Sequence, residues 1–224
     1  MTMNDREAAA RRAKAQLELL LQRCPLLEPL RLDIWQAYQL MCSCYEAGGK
    51  LLIAGNGGSA ADAEHIVGEL MKSFKLPRRL SDELQAELTA VSPELGPVLA
   101  AHLQQALPAI ALDGHPALST AYLNDCDPLL CFAQQVNGYG KAEDVLLAIS
   151  TSGKSKNILY AAVTARARAM KVIGLTGAAE SPLLPLCDVC IRVPLQETYQ
   201  IQELYLPIYH CLCLMLETHF FGKE

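Results

Sequence analysis

The sequence predicts an α/β fold in which a doubly wound parallel sheet is flanked by helices. Short, almost wholly apolar segments alternate with amphipathic ones along the 224 residues, a pattern typical of parallel strands that helices cover on both faces. Two of the apolar segments run directly into Gly- and Ser-rich loops that open a helical segment. The sequence shows no repeat with a period of roughly 20–50 residues, which argues against a solenoid or propeller.

Two helices come first in the chain. Residues 7–22 are amphipathic, with leucines along one side, and a second helix begins near Arg31. It ends at Gly48-Gly49, because glycine adopts the left-handed backbone that stops a helix. One small domain offers no obvious place for both apolar stripes, so residues 1–48 are predicted to pack between the subunits of a homo-oligomer.

The strands of the sheet and the helices that cover it follow. Predicted strands lie at residues 51–54, about 109–112, 144–149, 171–176 and 189–193. Helical patterns lie at residues 60–74, 157–170 and 200–221. Pro207 lies inside the last helix and cannot donate a hydrogen bond to the Glu203 carbonyl, so a kink is predicted there.

Two loops have the composition of phosphate-binding loops. Residues 55–59 (GNGGS) follow the first predicted strand, and residues 150–155 (STSGKS) follow the strand at 144–149. The helix that starts after each loop has unpaired backbone N–H groups and the positive end of its dipole there, which together attract a phosphate. Neither loop is a Walker A sequence or a G-x-G-x-x-G, so a phosphorylated small molecule is favoured over a nucleotide.

Two pairs of side chains have a spacing that suits metal binding. His65 and Glu69 are four residues apart and share a helix face, while Gln202 and His210 are eight residues apart on the last helix. Imidazole, carboxylate and amide oxygen are acceptable zinc ligands. The spacing alone more often accompanies a surface ion pair at residues 65 and 69 and a packed histidine at residue 210.

The segment at about residues 77–107 is longer than the ~2–6 residues that usually connect a helix to a strand. We interpret it as a helical insertion of two short amphipathic helices, broken at Ser92-Pro93 and Gly96-Pro97. Two interpretations fit its position. The first is a solvated helical hairpin on the surface. The second is a lid over the site, in which Arg78 or Arg79 binds a phosphate through two hydrogen bonds.

Composition and charge exclude several classes of function. Apolar residues make up 51% and charged residues 19%, which suits a packed domain and not a disordered chain. A net charge of −5 argues against non-specific nucleic-acid binding. No apolar stretch approaches the ~20 residues that span a bilayer, and the start lacks a signal-peptide pattern, so a cytoplasmic protein is predicted. The nine cysteines are poorly spaced for disulfides or a zinc site, and we expect reduced, mostly buried thiols.

Four motifs follow one another along the chain. They are GNGGSAADAEHIVGEL at residues 55–70, ISTSGKSKNI at 149–158, KVIGLTG at 171–177 and ETYQIQELYLPIYH at 197–210. In this order they resemble the SIS (sugar isomerase) domain, and within it the sedoheptulose 7-phosphate isomerase, or phosphoheptose isomerase, branch. The resemblance covers most of residues 30–221. It implies a flavodoxin-like sheet, a single SIS domain over residues 1–224 and an aldose–ketose isomerase of a phosphorylated sugar. It further implies a homotetramer with neither nucleic acid nor membrane as a partner.

The resemblance also implies roles for individual residues. Zn²⁺ would be held by His65, Glu69, Gln202 and His210, and Glu69 and His210 would be the catalytic acid and base. The residues implied in substrate binding are Asn56, Gly57, Gly58, Ser59, Asn124, Asp125, Ser150, Thr151, Ser152, Ser155 and Gln202. Which of Glu69 and His210 is the base stays open.

Three departures from the family pattern leave the identity of the sugar open. They are the insertion at 77–107, Gln200 where many relatives have Arg, and Tyr205 in place of a common His. The alternatives are a non-catalytic SIS adaptor of the kind that binds a replication initiator, and another SIS phosphosugar isomerase. Such adaptors lack part of the zinc set, which this chain keeps, so the isomerase is favoured.

Overall fold

The computed structural model describes residues 3–222. The strands are β1 (Leu51–Ala54), β2 (Ala109–Ala111), β3 (Val145–Ile149), β4 (Lys171–Gly177) and β5 (Val189–Val193). They form one sheet in the order β2-β1-β3-β4-β5, and every neighbouring pair is parallel. The five predicted strands and the doubly wound sheet are confirmed, and the strand order reverses between β1 and β3, as in flavodoxin-like folds.

Nine α-helices surround this sheet within residues 3–222. They are α1 (Met3–Arg23), α2 (Arg31–Glu46), α3 (Gly58–Met71), α4 (Asp82–Val91), α5 (Gly96–His102), α6 (Pro116–Asp125), α7 (Cys131–Tyr139), α8 (Lys156–Ala167) and α9 (Thr198–Phe221). Short 3₁₀ turns lie at Pro25–Leu30, Pro128–Leu130 and Leu184–Leu186. The helices α6 and α7 were not predicted from the sequence. Helix α9 continues through Pro207 as one element, and a kink there stays a prediction.

Successive residues of a strand face opposite layers of the fold. Leu51 and Ile53 of β1 pack in the core that α1, α2, α3 and α9 share, whereas Leu52 and Ala54 face α7 and α8. All four side chains are fully buried. Helices thus cover both faces of the sheet, which explains why its strands are apolar throughout.

The apolar faces of the two N-terminal helices are buried within the chain itself. Leu17, Leu20 and Leu21 of α1 join the main core, and α1 packs along α9. Helix α2 packs on α9 and β5, and its Tyr38 hydroxyl lies 2.7 Å from Nδ1 of His219. The expectation that residues 1–48 need another subunit to bury their stripes is therefore wrong, because the long α9 provides that surface. The homo-oligomer itself stays a prediction.

The insertion folds as the expected pair of short helices, which we call the α4–α5 hairpin (residues 81–103). Ser81 caps α4, because its Oγ accepts a hydrogen bond from the Leu84 N–H (3.3 Å). An antiparallel bridge between Arg79 and Gln104 closes the base of the hairpin. No residue of α4 is buried. The exposed large apolar residues of the hairpin are Leu84, Val91, Leu95, Val98, Leu99 and Leu103.

Two expectations about the chemistry of the whole chain can be compared with the structure. All nine cysteines lie in the described residues and are free thiols; five are buried and only Cys126 is exposed. The prediction that most of the thiols are buried is confirmed, and their reduced state stays a prediction. In the part of the chain that the structure describes, no helix is both long and apolar enough to cross a membrane.

Candidate active site

The two expected phosphate loops meet where the strand order reverses, between β1 and β3. Asn56 lies in the loop after β1, and Asn157 lies in the first turn of α8 after the β3 loop. Nδ2 of Asn56 donates to Oδ1 of Asn157 (3.0 Å), and Nδ2 of Asn157 donates to Oδ1 of Asn56 (2.7 Å). These two hydrogen bonds fix the two loops relative to each other. Doubly wound sheets bind their ligands at this position.

The β1 loop turns sharply into α3. Gly57 has a φ of +57°, a left-handed backbone conformation that favours glycine. Asn56, Gly57 and Gly58 are exposed, whereas Ser59 is buried and its N–H donates to the Asn56 carbonyl (3.1 Å). Three of the four residues expected here are thus accessible to a ligand. The buried Ser59 instead stabilises the turn through its hydrogen bond to Asn56.

The β3 loop gathers the serines that were expected to bind phosphate. Ser150 Oγ donates to Ser155 Oγ (3.2 Å), and Ser152 Oγ accepts from the Lys154 N–H (3.2 Å). The Thr151 carbonyl accepts from the Gly177 N–H of β4 (3.0 Å), which ties the loop to the sheet. Ser155 precedes α8 without a side-chain cap. The start of α8 is therefore suited to an external anion.

Helices α3 and α9 pack side by side and run in the same direction. Near the start of both, a Cβ at Gly58 would lie 2.8 Å from Nε2 of Gln202. Further along, Nε2 of His65 lies 3.3 Å from Nε2 of His210. The α3–α9 contact thus begins at the β1 loop and ends at two of the expected metal ligands.

His65, Glu69 and His210 form a cluster that we call the site trio. Nε2 of His65 lies 3.3 Å from Oε1 of Glu69 as well as 3.3 Å from Nε2 of His210. The Phe74 ring packs on His210, with ring centroids 5.2 Å apart. On the other side of His65, the Tyr209 hydroxyl lies 3.1 Å from Nδ1.

The surroundings of the site trio change the pKa values of three nearby groups. Burial, followed by the neighbouring His65, lowers the pKa of His210, which favours its neutral form at pH 7. Burial raises the pKa of the Asp62 carboxyl group, while a hydrogen bond with Tyr209 opposes that rise. Burial also raises the pKa of Tyr209, so its hydroxyl keeps its proton.

The donor atoms of the site trio suit zinc in type and in spacing. Imidazole and carboxylate are common zinc ligands, and a tetrahedron with bonds of about 2.0–2.1 Å has an edge of about 3.3 Å, which is the length of both contacts to His65 Nε2. Both contacts share His65, however. Within residues 3–222, no three His, Cys, Asp or Glu side chains already converge on one metal position.

Three other residues with expected site roles lie apart from the site trio. Gln202 packs against Gly58, and eight residues of helix separate it from His210, a rise of about 12 Å. Asn124 and Asp125 are exposed at the end of α6, where Nδ2 of Asn124 donates to Oδ1 of Asp125 (2.7 Å). The structure thus brings three of the four expected metal ligands together.

The hypothesis that Arg78 binds a substrate phosphate is wrong. Its side chain is fully buried, and its Nε lies 2.9 Å from Oε1 of Glu217. Its terminal nitrogens donate to the carbonyls of Leu70 (2.7 Å) and Glu69 (3.0 Å). Because these bonds hold the guanidinium inside the fold, it cannot reach a ligand. Arg79 is exposed and donates to Gln85 of α4 (3.1 Å).

Sequence reasoning missed three residues next to the site. Asn157 pairs the two loops, and it lies two residues after Ser155 in a motif that had already been singled out. The Tyr209 hydroxyl contacts Nδ1 of His65, and Asp62 and Tyr209 influence each other's pKa. Asp62 lies three residues before His65 and so on the same helix face, which was a usable signal. Nothing in the sequence predicted the partner of Tyr209.

Comparison with known proteins supplies the family. Residues 86–177 match the SIS domain. A phosphoheptose isomerase of a Nitratiruptor species is 38% identical over 193 residues, covering 86% of this chain and 89% of the relative. One from Thiobacillus denitrificans is 36% identical over 227 residues, covering 100% of both chains. The structure of a phosphoheptose isomerase from Francisella tularensis has a TM-score of 0.71 at 33% identity, covering 97% of this chain and 100% of that one.

The relationship extends beyond the segment that matches the SIS domain. That segment, residues 86–177, includes neither the site trio nor Gln202. The match to the Thiobacillus denitrificans protein spans the whole chain and so includes all four positions. The chain belongs to the phosphoheptose isomerase branch of the SIS domain family.

Proposed function

We propose that this chain is a zinc-dependent aldose–ketose isomerase, and that it interconverts sedoheptulose 7-phosphate and an aldose heptose 7-phosphate. The observation that carries the proposal is the position of Glu69 and His210, each 3.3 Å from Nε2 of His65. Both lie on helices that pack together from the β1 loop onward. The choice of sugar is supported by the full-length relatives, which bear the name phosphoheptose isomerase.

The phosphate of the sugar binds at the two loops. The N–H groups of Lys156 and Asn157 at the start of α8 and the hydroxyls of Ser150, Ser152 and Ser155 supply hydrogen-bond donors for it. The exposed glycines of the β1 loop let the sugar approach the backbone closely. Phosphate binding then holds the reacting carbons in a fixed position relative to the site trio, which removes much of the entropic cost of the reaction.

Glu69 and His210 move the proton. Isomerisation transfers a proton between C1 and C2 of the sugar through an enediolate. One of the two groups takes the proton from carbon, and the other exchanges a proton with the adjacent oxygen. In either role His210 must be able to accept a proton at Nε2. Burial lowers the pKa of His210, which favours the neutral ring that can do so at pH 7.

The zinc ion is part of the proposal because the site trio, His65, Glu69 and His210, supplies side chains of the kind that zinc takes as ligands. When bound there, zinc supplies Lewis-acid polarisation of the substrate oxygens and stabilises the charge of the enediolate.

We further propose that the protein is a cytoplasmic homotetramer. The six exposed apolar residues of the α4–α5 hairpin support an assembly, since several exposed apolar residues on one short segment suit a contact with another molecule.

The test is an isomerase assay on ketose phosphates of five, six and seven carbons, with product identified by NMR. Metal content and light scattering are measured on the same preparation. We expect the highest turnover with sedoheptulose 7-phosphate, bound zinc and the mass of a tetramer. Higher turnover on a shorter sugar would contradict the proposed substrate but support the proposed isomerase activity. If none of these sugar phosphates is turned over while zinc is bound and the tetramer is intact, the proposed enzymatic activity is wrong. The non-catalytic SIS adaptor would then be favoured.

A further inference from the structure

Cys187 and Cys190 lie together over Gly174 at the edge of the sheet. A Cβ built on Gly174 would lie 2.7 Å from the Cys187 sulfur and 2.8 Å from the Cys190 sulfur. The two sulfur atoms therefore cannot be farther apart than the sum of these distances. Gly174 pairs with Cys190 in the register of β4 and β5, and β5 is an edge strand. Because Gly174 has no side chain, both thiols fit there side by side.

The backbone between the two cysteines explains how their side chains reach the same place. The chain bends at Asp188, between the 3₁₀ turn at Leu184–Leu186 and the start of β5. The Asp188 N–H donates to the Val172 carbonyl (2.8 Å), and Oδ2 of Asp188 accepts from the Val172 N–H (2.9 Å). Two residues that are three apart in a straight strand point to opposite faces of the sheet. The bend therefore brings the Cys187 sulfur to the face on which the Cys190 sulfur lies.

The two thiols differ in their surroundings. Both residues are half-buried, and neither is sealed in the core. The neighbouring Cys187 thiol, more than any other group, lowers the pKa of Cys190, although burial opposes that effect. The Cys190 sulfur also lies 3.5 Å from Oγ1 of Thr176. The Cys187 thiol instead donates to the Leu183 carbonyl (3.2 Å), and its pKa is raised by Cys190 and by burial. Cys190 is thus the sulfur that more readily becomes a thiolate, which is the reactive form of cysteine.

We propose that Cys187 and Cys190 form a redox-active dithiol, which reacts with small disulfides such as oxidised glutathione and closes to an internal disulfide. The Cys190 thiolate attacks one sulfur of the small disulfide, which forms a mixed disulfide and releases the first small thiol. Cys187 then loses its proton and attacks the Cys190 sulfur, which releases the second small thiol. The two protein thiols are oxidised, the small disulfide is reduced, and the protons of the two cysteines end on the two released thiols.

The half-buried position at an edge strand suits a disulfide that opens and closes. Disulfides in a reducing compartment are usually transient and serve catalysis or redox sensing. Neither cysteine belongs to the phosphate loops or to the site trio, so this reactivity does not depend on the proposed isomerase activity.

The test uses a background in which Cys24 and Cys126 are replaced by serine. All nine cysteines lie within residues 3–222, and the five others outside the pair are buried, so Cys187 and Cys190 are then the only thiols that are not buried. The folded, chelator-treated protein is incubated with mixtures of oxidised and reduced glutathione, alkylated and analysed by mass spectrometry.

We expect the protein to lose two hydrogen atoms and to carry no glutathione. Peptide mapping should place the loss in the segment that contains both cysteines, and dithiothreitol should restore both thiols. Glutathione adducts without an internal disulfide would show two independent thiols and overturn the proposal. A protein that forms no internal disulfide, even with oxidised glutathione alone, would overturn it as well.

The variants Cys187→Ser and Cys190→Ser, made in the same background, form a matched pair, because each removes one half-buried sulfur and leaves the other. We expect Cys187→Ser to accumulate a mixed disulfide with one glutathione at Cys190, since the second thiol is absent. Cys190→Ser should form its adduct more slowly. Equal rates in the two variants would contradict the role of Cys190 as the attacking sulfur.

Discussion

Arg78 and Glu217 form an ion pair whose two side chains are both 0% exposed, with Nε of Arg78 2.9 Å from Oε1 of Glu217. Glu217 also accepts hydrogen bonds from the backbone N–H groups of Phe74 (2.8 Å), Lys75 (2.8 Å) and Leu76 (3.0 Å). Arg78 in turn donates to carbonyls at the end of α3. The pair therefore fastens the end of α3, which carries Glu69, to α9, which carries His210.

Glu217→Ala should destabilise the protein strongly. The substitution leaves the buried guanidinium without its counter-charge and three backbone N–H groups without an acceptor, and breaking such a pair costs about 3–5 kcal/mol. Urea unfolding measures the loss. Glu180→Ala, which removes a carboxylate that is 83% exposed and pairs with Arg192, should leave stability nearly unchanged. If both variants lost a similar free energy of unfolding, burial of the Arg78–Glu217 pair would not be the cause of the loss.

Glu69→Gln and His210→Asn should each lower kcat by ~10²-fold or more, the usual contribution of a general acid or base. Both replacements leave an uncharged polar side chain, so the fold should persist, as circular dichroism would show. Glu64→Gln, at an exposed position five residues earlier on α3, is the control. Turnover at the wild-type rate in either site variant would remove that residue from the proton transfer.

Asn157→Ala should raise KM for the sugar phosphate by about an order of magnitude, since it removes two hydrogen bonds to Asn56 that are each worth about 0.5–1.5 kcal/mol. The loops after β1 and β3 would no longer be held together for one phosphate. Steady-state kinetics measure the effect, with Thr164→Ala on the exposed side of α8 as the control. A change confined to kcat would mean that the pairing acts on the chemical step and not on binding.

Stability should fall between pH 7.5 and pH 5.5, in part through His219. Burial lowers the pKa of His219 in the folded protein, whereas the unfolded chain has a His pKa near ~6.5. The unfolded state therefore binds more protons, so the contribution of His219 is present above that pH and is lost as the pH falls towards the folded pKa. Urea unfolding at both pH values should give a smaller difference for His219→Gln than for the wild type. His102→Gln, at an exposed position on α5, should behave like the wild type.

The sheet could be predicted because each strand is short, apolar and bounded by clear turn residues. β1 at residues 51–54 agrees with the prediction to the residue. Helix α6 could not be predicted, because its apolar residues are not gathered on one face and an apolar stripe is the main signal of a helix. Helix α7 follows a 3₁₀ turn and spans only nine residues, too few for a clear periodic pattern.

The candidate site was predictable only where its parts lie close in sequence. The His65–Glu69 pair and the two loops are local patterns, and the structure brings each of them together as expected. The contacts of Tyr209 and Asn157 depend on how distant elements pack, which no spacing reveals. Arg78 shows the opposite failure: a charged residue is assumed to be exposed, and only the fold shows that Glu217 lies beside it.

The α4–α5 hairpin has an energetic consequence of its own. No residue of α4 is buried, so opening the hairpin exposes little apolar surface beyond what is already exposed, and the sheet does not have to open with it. Such a segment forms a separate cooperative unit with a low free energy of opening. In a single subunit its amide hydrogens should exchange with solvent long before those of β1 or β3, and substitutions in it should leave the denaturation midpoint of the sheet almost unchanged. Contacts with another subunit would slow that exchange.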